Sequence, residues 1–345
     1  MKKYILPLFL GLLLWTGLST PAAAAGYPDV PDGHWAAESI EKATSLGIFQ
    51  GLGDGRFGLG RPISRAEFVT ALVRFFGWEA AAPQNPSYTD VPAGAWFSAS
   101  VETARANNAL AAADQEFHPH DVVTRSEMAS MLLRSLGYTY LAGAAAEYTV
   151  PFSDVSVNRG FITLAYDLSL MTGTGGGRFD PDAPATREQA ATVLVRVHDQ
   201  LEASAVRLDS AGGFHMISIA APAAQQDTEL PITPLEPLTD LYAALRSMKY
   251  GGADMSQAAL RLTAGGLQTL SDGPLSSTAL SPRQVQEALA RPGAKTYYSD
   301  QYESAYCIYA LDGGQTAALW YQSEESMAAK LQLAKLFRVT HYILE

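Results

Sequence analysis

The chain has 345 residues, 48% hydrophobic and 17% charged, enough length for about two domains and unlike the charge-rich, apolar-poor composition of disordered chains. Its 24 Lys and Arg against 35 Asp and Glu leave a net charge of −11, which repels phosphate backbones and argues against nucleic acid as a partner. The single cysteine, Cys307, excludes an internal disulfide and cysteine-clustered zinc sites.

Residues 1–25 read as a secretory signal peptide. Lys2 and Lys3 precede an apolar run from Tyr4 to Leu18, followed by Ser19, Thr20, Pro21 and the small residues Ala22 to Ala25. The run falls short of the ~20 residues that span a bilayer and nothing similar recurs, so cleavage near Ala25/Gly26 is expected rather than anchoring, with no membrane span afterwards. His341 to Glu345 form no hydrophobic sorting tail. Retention at a surface is therefore expected to be non-covalent.

Self-comparison reveals three copies of one pattern between residues 27 and 201. Tyr27-Pro28-Asp29-Val30 returns as Tyr88-Thr89-Asp90-Val91 and as Phe152-Ser153-Asp154-Val155. Six residues after the aspartate stand Trp35 and Trp96 in the first two copies, and Gly160 in the third. Phe57, Phe117 and Phe179 close the loops that follow, and eight residues beyond each comes an arginine: Arg65, Arg125 and Arg187.

Each copy predicts helix, loop, helix. Ile40, Ala43 and Leu46 recur at helical spacing, with Gly47 as a C-terminal stop. Ser64 with Glu67, Thr124 with Glu127, and Thr186 with Gln189 have the spacing of capping boxes that start the second helices. The three phenylalanines are expected in the core, and such short helix pairs must pack on one another to bury it. Repeat domains are placed at 27–79, 88–138 and 152–201. Ala80 to Ser87 and Tyr140 to Pro151 are read as connectors.

At these residues the chain resembles the S-layer homology (SLH) domain in its three-copy form. The resemblance covers about half the chain and implies an all-α pseudo-trimer around a central bundle. It also implies inter-repeat grooves that hold secondary cell-wall polysaccharide, typically through a pyruvylated N-acetylmannosamine unit. Asp29, Asp90, Asp154, Trp35, Trp96, Gly173, Arg65, Arg125 and Arg187 are the candidate polysaccharide contacts. Arginine at a first helical turn opposes the helix dipole, and beside free backbone N–H groups it suits a carboxylate. Alternatives stay open: turn capping for the aspartates, core packing for the tryptophans, and surface ion pairs for the arginines. Copy two lacks the loop glycines of copies one (Gly47, Gly51, Gly53) and three (Gly173, Gly175 to Gly177). Copies one and three are accordingly expected to carry the better loops. Calcium is not expected at Gly53-Asp54-Gly55, which lacks an EF-hand's ladder of acids.

Residues 205–345 form a smaller mixed α/β module, making the chain multidomain. Strands are expected over Phe214–Ile219, Ala305–Leu311, Thr316–Tyr321 and Val339–Leu344, the middle pair joined as a hairpin through Asp312-Gly313-Gly314. Helices are expected over Leu238–Met248, Ser281–Ala290 and Glu324–Phe337. Ala317 to Lys335, with Leu319-Trp320-Tyr321 and Lys330, resembles the closing strand-helix unit of family-18 glycoside hydrolases, and Phe214–Ile219 their first barrel strand. That family's Asp-x-x-Asp-x-Asp-x-Glu run is absent and the module is too short for a full barrel. A shortened relative without catalytic residues is implied. Asp254, Asp272, Asp300, Glu303, Glu324 and Glu325 show no paired spacing. His215 and His341 lack metal-ligand partners, and Cys307 reads as a buried structural thiol. Tyr297, Tyr298, Tyr302, Tyr306 and Tyr309 suit either a sugar-stacking surface or strand packing.

The sequence thus points to a secreted, wall-bound protein without cofactor, metal or catalytic site. Its alternatives are a wall-bound hydrolase acting on peptidoglycan and a self-associating lattice subunit.

Overall fold

The computed structural model describes residues 26–81, 86–111, 115–209, 215–217 (backbone only), 238–262, 265–270, 277–299 and 304–344. The expected signal peptide lies outside the described residues. The chain forms two compact units, one ending at Asp199 and the other beginning at Gln200.

The first unit is helical: α1 (Ala37–Ser45), α2 (Arg65–Phe76), α3 (Ser98–Ala106), α4 (Arg125–Ser135), α5 (Thr139–Ala145), α6 (Arg159–Asp167) and α7 (Arg187–Glu202). The pairs α1/α2, α3/α4 and α6/α7 are the three repeats. Ser64 and Thr124 form complete capping boxes with Glu67 and Glu127. The third box is half made: Thr186 N–H donates to Gln189 Oε1 at 3.2 Å, while the Thr186 hydroxyl has no hydrogen-bond partner. Each first helix ends through a residue at positive φ: Gly47 (72°), Asn108 (57°) and Ser169 (57°). This left-handed turn sends the next N–H back to the last helical turn, from Ile48 to Ala43, Ala109 to Ala104 and Leu170 to Ala165. Phe57, Phe117 and Phe179 are fully buried, as are Phe68, Leu72, Met128, Leu132 and Leu194.

The repeats close on themselves. Ile63 N–H donates to Ala185 O (2.9 Å), Ala185 N–H to Val123 O (2.8 Å) and Val123 N–H to Ile63 O (3.0 Å). One bond from each repeat to another makes a three-membered ring, so the segments before α2, α4 and α7 satisfy one another's backbone groups.

The stretch read as a second connector is in part a helix. α5 buries Leu141, Ala142 and Ala145 and packs against α6. Its alanine content is strong helix propensity rather than the mark of a linker.

The second unit has two sheets. β1 (Val206–Arg207), β2 (His215–Ile217), β3 (Ala258–Leu262) and β9 (His341–Leu344) form a parallel sheet in the order β1-β9-β3-β2. β4 (Gly266–Leu270), β5 (Ser277–Leu280), β6 (Lys295–Ser299), β7 (Ser304–Ala310) and β8 (Thr316–Tyr321) form an antiparallel sheet in the order β5-β4-β8-β7-β6. The helices are α8 (Leu238–Tyr250), α9 (Pro282–Leu289) and α10 (Glu324–Leu336). Val285 and Ala288 of α9 share a core with Cys307, Tyr309, Ala317 and Leu319. The predicted hairpin and all three predicted helices are present, whereas β1 and β3 to β6 were not expected. Ala258-Ala259-Leu260 of β3 and Ser277-Thr278-Ala279 of β5 carry little strand propensity, and their partners define them, whereas Thr296-Tyr297-Tyr298 of β6 is a strand-favouring run that was read only for its tyrosines.

Candidate functional site

The aspartates that open each repeat hold its loop rather than capping the turn before the first helix. Asp29 accepts backbone N–H bonds from Phe57, Gly58 and Leu59 at 2.8–2.9 Å. Asp90 accepts from Phe117 and His118 at 2.7 and 2.6 Å, and Asp154 from Phe179 and Asp180 at 2.9 Å. In all three loops the residue after the phenylalanine is left-handed: Gly58, His118 and Asp180. That twist aims consecutive N–H groups at one carboxylate. Burial alone would raise the Asp29 pKa, but the N–H bonds from Leu59, Phe57 and Gly58 outweigh it and hold the group below the ordinary carboxylate value. Asp90 is lowered against burial in the same way, by Phe117 and His118. Asp154 is lowered chiefly by the Phe179 N–H.

The arginines fasten one repeat to the next. Arg65 Nε donates to Phe117 O, Arg125 Nε to Phe179 O and Arg187 Nε to Phe57 O, at 2.8–2.9 Å. Each guanidinium also lies over the ring of that phenylalanine, with its central carbon 4.6–5.1 Å from the centroid. The cycle runs one to two, two to three and three to one. Arg125 Nη2 further donates to Thr172 O and Arg187 Nη2 to Gln50 O, at 2.7 and 3.0 Å. Arg65 instead pairs with Glu127 at 2.6 Å. Arg125 and Arg187 are only 7% and 5% exposed, so neither is the surface ion pair considered from sequence. Burial pulls both below arginine's usual pKa, but a guanidinium stays charged at any working pH. The Arg65 side chain keeps 18% of its surface open.

The tryptophans are not core. Trp35 and Trp96 are 60% and 64% exposed, the largest side chains that the described surface leaves open to this extent. Gly173 has no room for a side chain: a Cβ there would lie 2.5 Å from Phe152 Cε1 and 2.6 Å from Arg178 O. Its smallness serves packing of the third loop, as does that of Gly51 beside Tyr27 in the first. Glu67 and Glu127 escaped the sequence reading as arginine partners: each capping-box glutamate meets the arginine of the preceding repeat in the cycle, Glu127 with Arg65 and Glu67 with Arg187.

In the second unit, Tyr297 and Tyr306 stack on each other across β6 and β7 at 5.1 Å, and Tyr306 lies 4.7 Å from Trp320. Their ring faces meet each other, and Tyr309 is core. Strand packing accounts for Tyr306 and Tyr309, while Tyr297, on the edge strand β6, stays 43% exposed. Tyr302, Asp272, Asp300, Glu303 and the His215 side chain lie outside the described residues. Cys307 is buried, which raises its thiol pKa. Lys330 is fully buried, its amino group 3.1 Å from Gln322 Oε1 and 3.4 Å from Ser304 Oγ. Among the described residues, no three His, Cys, Asp or Glu side chains are grouped to hold a metal ion, and no helix is long and apolar enough to cross a membrane.

The closed ring of Asp-held loops and Arg-fastened helices coincides with a known domain: residues 26–69, 87–129 and 151–191 each match the S-layer homology domain. The chain carries three S-layer homology domains. Its relatives include surface-layer proteins. It is 25% identical to the S-layer protein sap of Bacillus anthracis over 56% of this chain and 24% of that one. It is 34% identical to the surface layer protein of Brevibacillus choshinensis over 40% of this chain and 13% of that one. The matched region thus spans a quarter or less of these relatives' length. Among solved structures it is similar to the spore cortex-lytic enzyme SleL of Bacillus megaterium, 18% identical, covering 33% of this chain and 27% of that one. The TM-score of 0.30 is too low to establish a shared fold.

Proposed function

We propose that the chain is anchored to the bacterial cell wall by its S-layer homology domains, which bind secondary cell-wall polysaccharide carrying carboxylate groups such as pyruvate ketals. The observation that carries this reading is the exposure of Trp35 and Trp96 on a self-closed ring. A globular unit gains nothing by leaving indole in water, whereas a flat apolar face suits the C–H side of a sugar. Arg65, still partly open beside Glu127, supplies a guanidinium for the ketal carboxylate. Arg125, Arg187, Asp29, Asp90, Asp154 and Gly173 hold the loops and repeat junctions in place. Shallow sites repeated along a polymer raise avidity without tight single contacts.

The C-terminal unit in this reading is displayed on the wall and is non-catalytic. The test is sedimentation of the whole chain with purified cell walls before and after hydrofluoric acid strips the polysaccharide. Pelleting with intact walls alone supports the reading. Equal pelleting with stripped walls refutes it.

A further inference from the structure

The third repeat departs from the other two at the tryptophan position, and the structure shows why. Gly160, six residues after Asp154, is buried in the first turn of α6. A Cβ built there would lie 1.8 Å from Ala142 O, 2.8 Å from the Ala142 carbonyl carbon and 3.3 Å from Ala146 Cβ. Ala142 belongs to α5 and Ala146 caps it. No helix occupies the corresponding place before α3 among the described residues. The neighbouring Arg159 donates from Nε to Ala146 O and from Nη2 to Tyr148 O, both at 3.1 Å, tying the end of α5 to the start of α6. Even a methyl group is excluded at this position, and an indole would require α5 to leave.

We infer that α5 takes the place of the third aromatic platform, so that wall polysaccharide engages two sites per chain, at Trp35 and Trp96. This rests on the polysaccharide reading above and adds its stoichiometry and the residues that set it. The glycine-bearing loops of copies one and three point to a different pair. The structure favours repeats one and two, because Gly51 and Gly173 answer to packing, Gly47 and Gly175 to Gly177 to a positive-φ backbone, and the first-helix position determines whether an aromatic face exists.

Calorimetric titration of the whole chain with short, purified fragments of the wall polysaccharide tests this. Two equivalents are expected for the native chain, one each for Trp35→Ala and Trp96→Ala, and no saturable binding for the double variant. Both side chains are exposed, so the variants should retain the native circular dichroism spectrum, and Trp96→Phe should keep part of the second site. Three equivalents, or saturable binding by the folded double variant, would overturn the inference while leaving polysaccharide recognition standing. No binding by the native chain would remove both.

Discussion

Arg125 and Arg187 illustrate how one side chain serves packing and backbone satisfaction together. Each spans a repeat junction, covers a buried phenylalanine ring and supplies donors to two carbonyls of the neighbouring repeat. Truncation of Arg187 to alanine leaves those carbonyls without donors and a gap over Phe57. A loss of about 2–4 kcal/mol is expected in urea unfolding. Trp35→Ala in the same assay should change stability by less than about 0.5 kcal/mol, because the indole is mostly in water. The opening aspartates make a second prediction. Their native pKa values are lowered, so their contribution is complete above the unfolded value of about 3.9 and is lost as pH falls through the lower native values. Acid titration followed by circular dichroism should show stability falling below about pH 4. Asp29→Asn together with Asp90→Asn should flatten that dependence, at the cost of lower stability at neutral pH.

Helices and loops record where local sequence was decisive and where it was not. Ser64-x-x-Glu67 and Thr124-x-x-Glu127 start their helices at the predicted residues, because a cap is a contact between near neighbours. The same near-neighbour logic made α8, α9, α10 and the β7–β8 hairpin legible. β1 and β3 to β6 were not: β1, β3 and β4 are held by strands distant in sequence, and β5 and β6 pair with their chain neighbours without a recognised turn motif between them. α5 was missed because alanine-rich segments without charge resemble spacers. In the candidate site, the repeat offsets identified the aspartates and arginines, but what they hold is backbone of a neighbouring loop or repeat, which no spacing within one copy reveals. Exposure of Trp35 and Trp96 was equally invisible, since aromatic residues are more often core. α5 offers a sharp contrast between two glycines. Gly160→Ala forces a methyl group into the Ala142 carbonyl and should cost about 1–3 kcal/mol. Gly143→Ala, in the middle of α5 with nothing within 4 Å of its Cβ position, should instead stabilise by about 0.4–1 kcal/mol. Paired thermal melts of the two variants decide it.

The first unit behaves as a ring whose parts depend on closure. Ile63, Val123 and Ala185 exchange backbone bonds in a cycle, and the arginine cycle runs parallel to it. A fragment ending at residue 138 loses Ala185 and Arg187, leaving Ile63 N–H without its acceptor and Phe57 O without its donor. It should lack the cooperative urea transition that a fragment of residues 26–199 shows. The most direct test of the anchoring account is release of the whole chain from intact walls by soluble competitors. Purified wall polysaccharide should displace it, while the same polysaccharide stripped of its pyruvate ketals should not. Equal displacement by both would contradict carboxylate recognition, and displacement by neither would contradict the anchor itself.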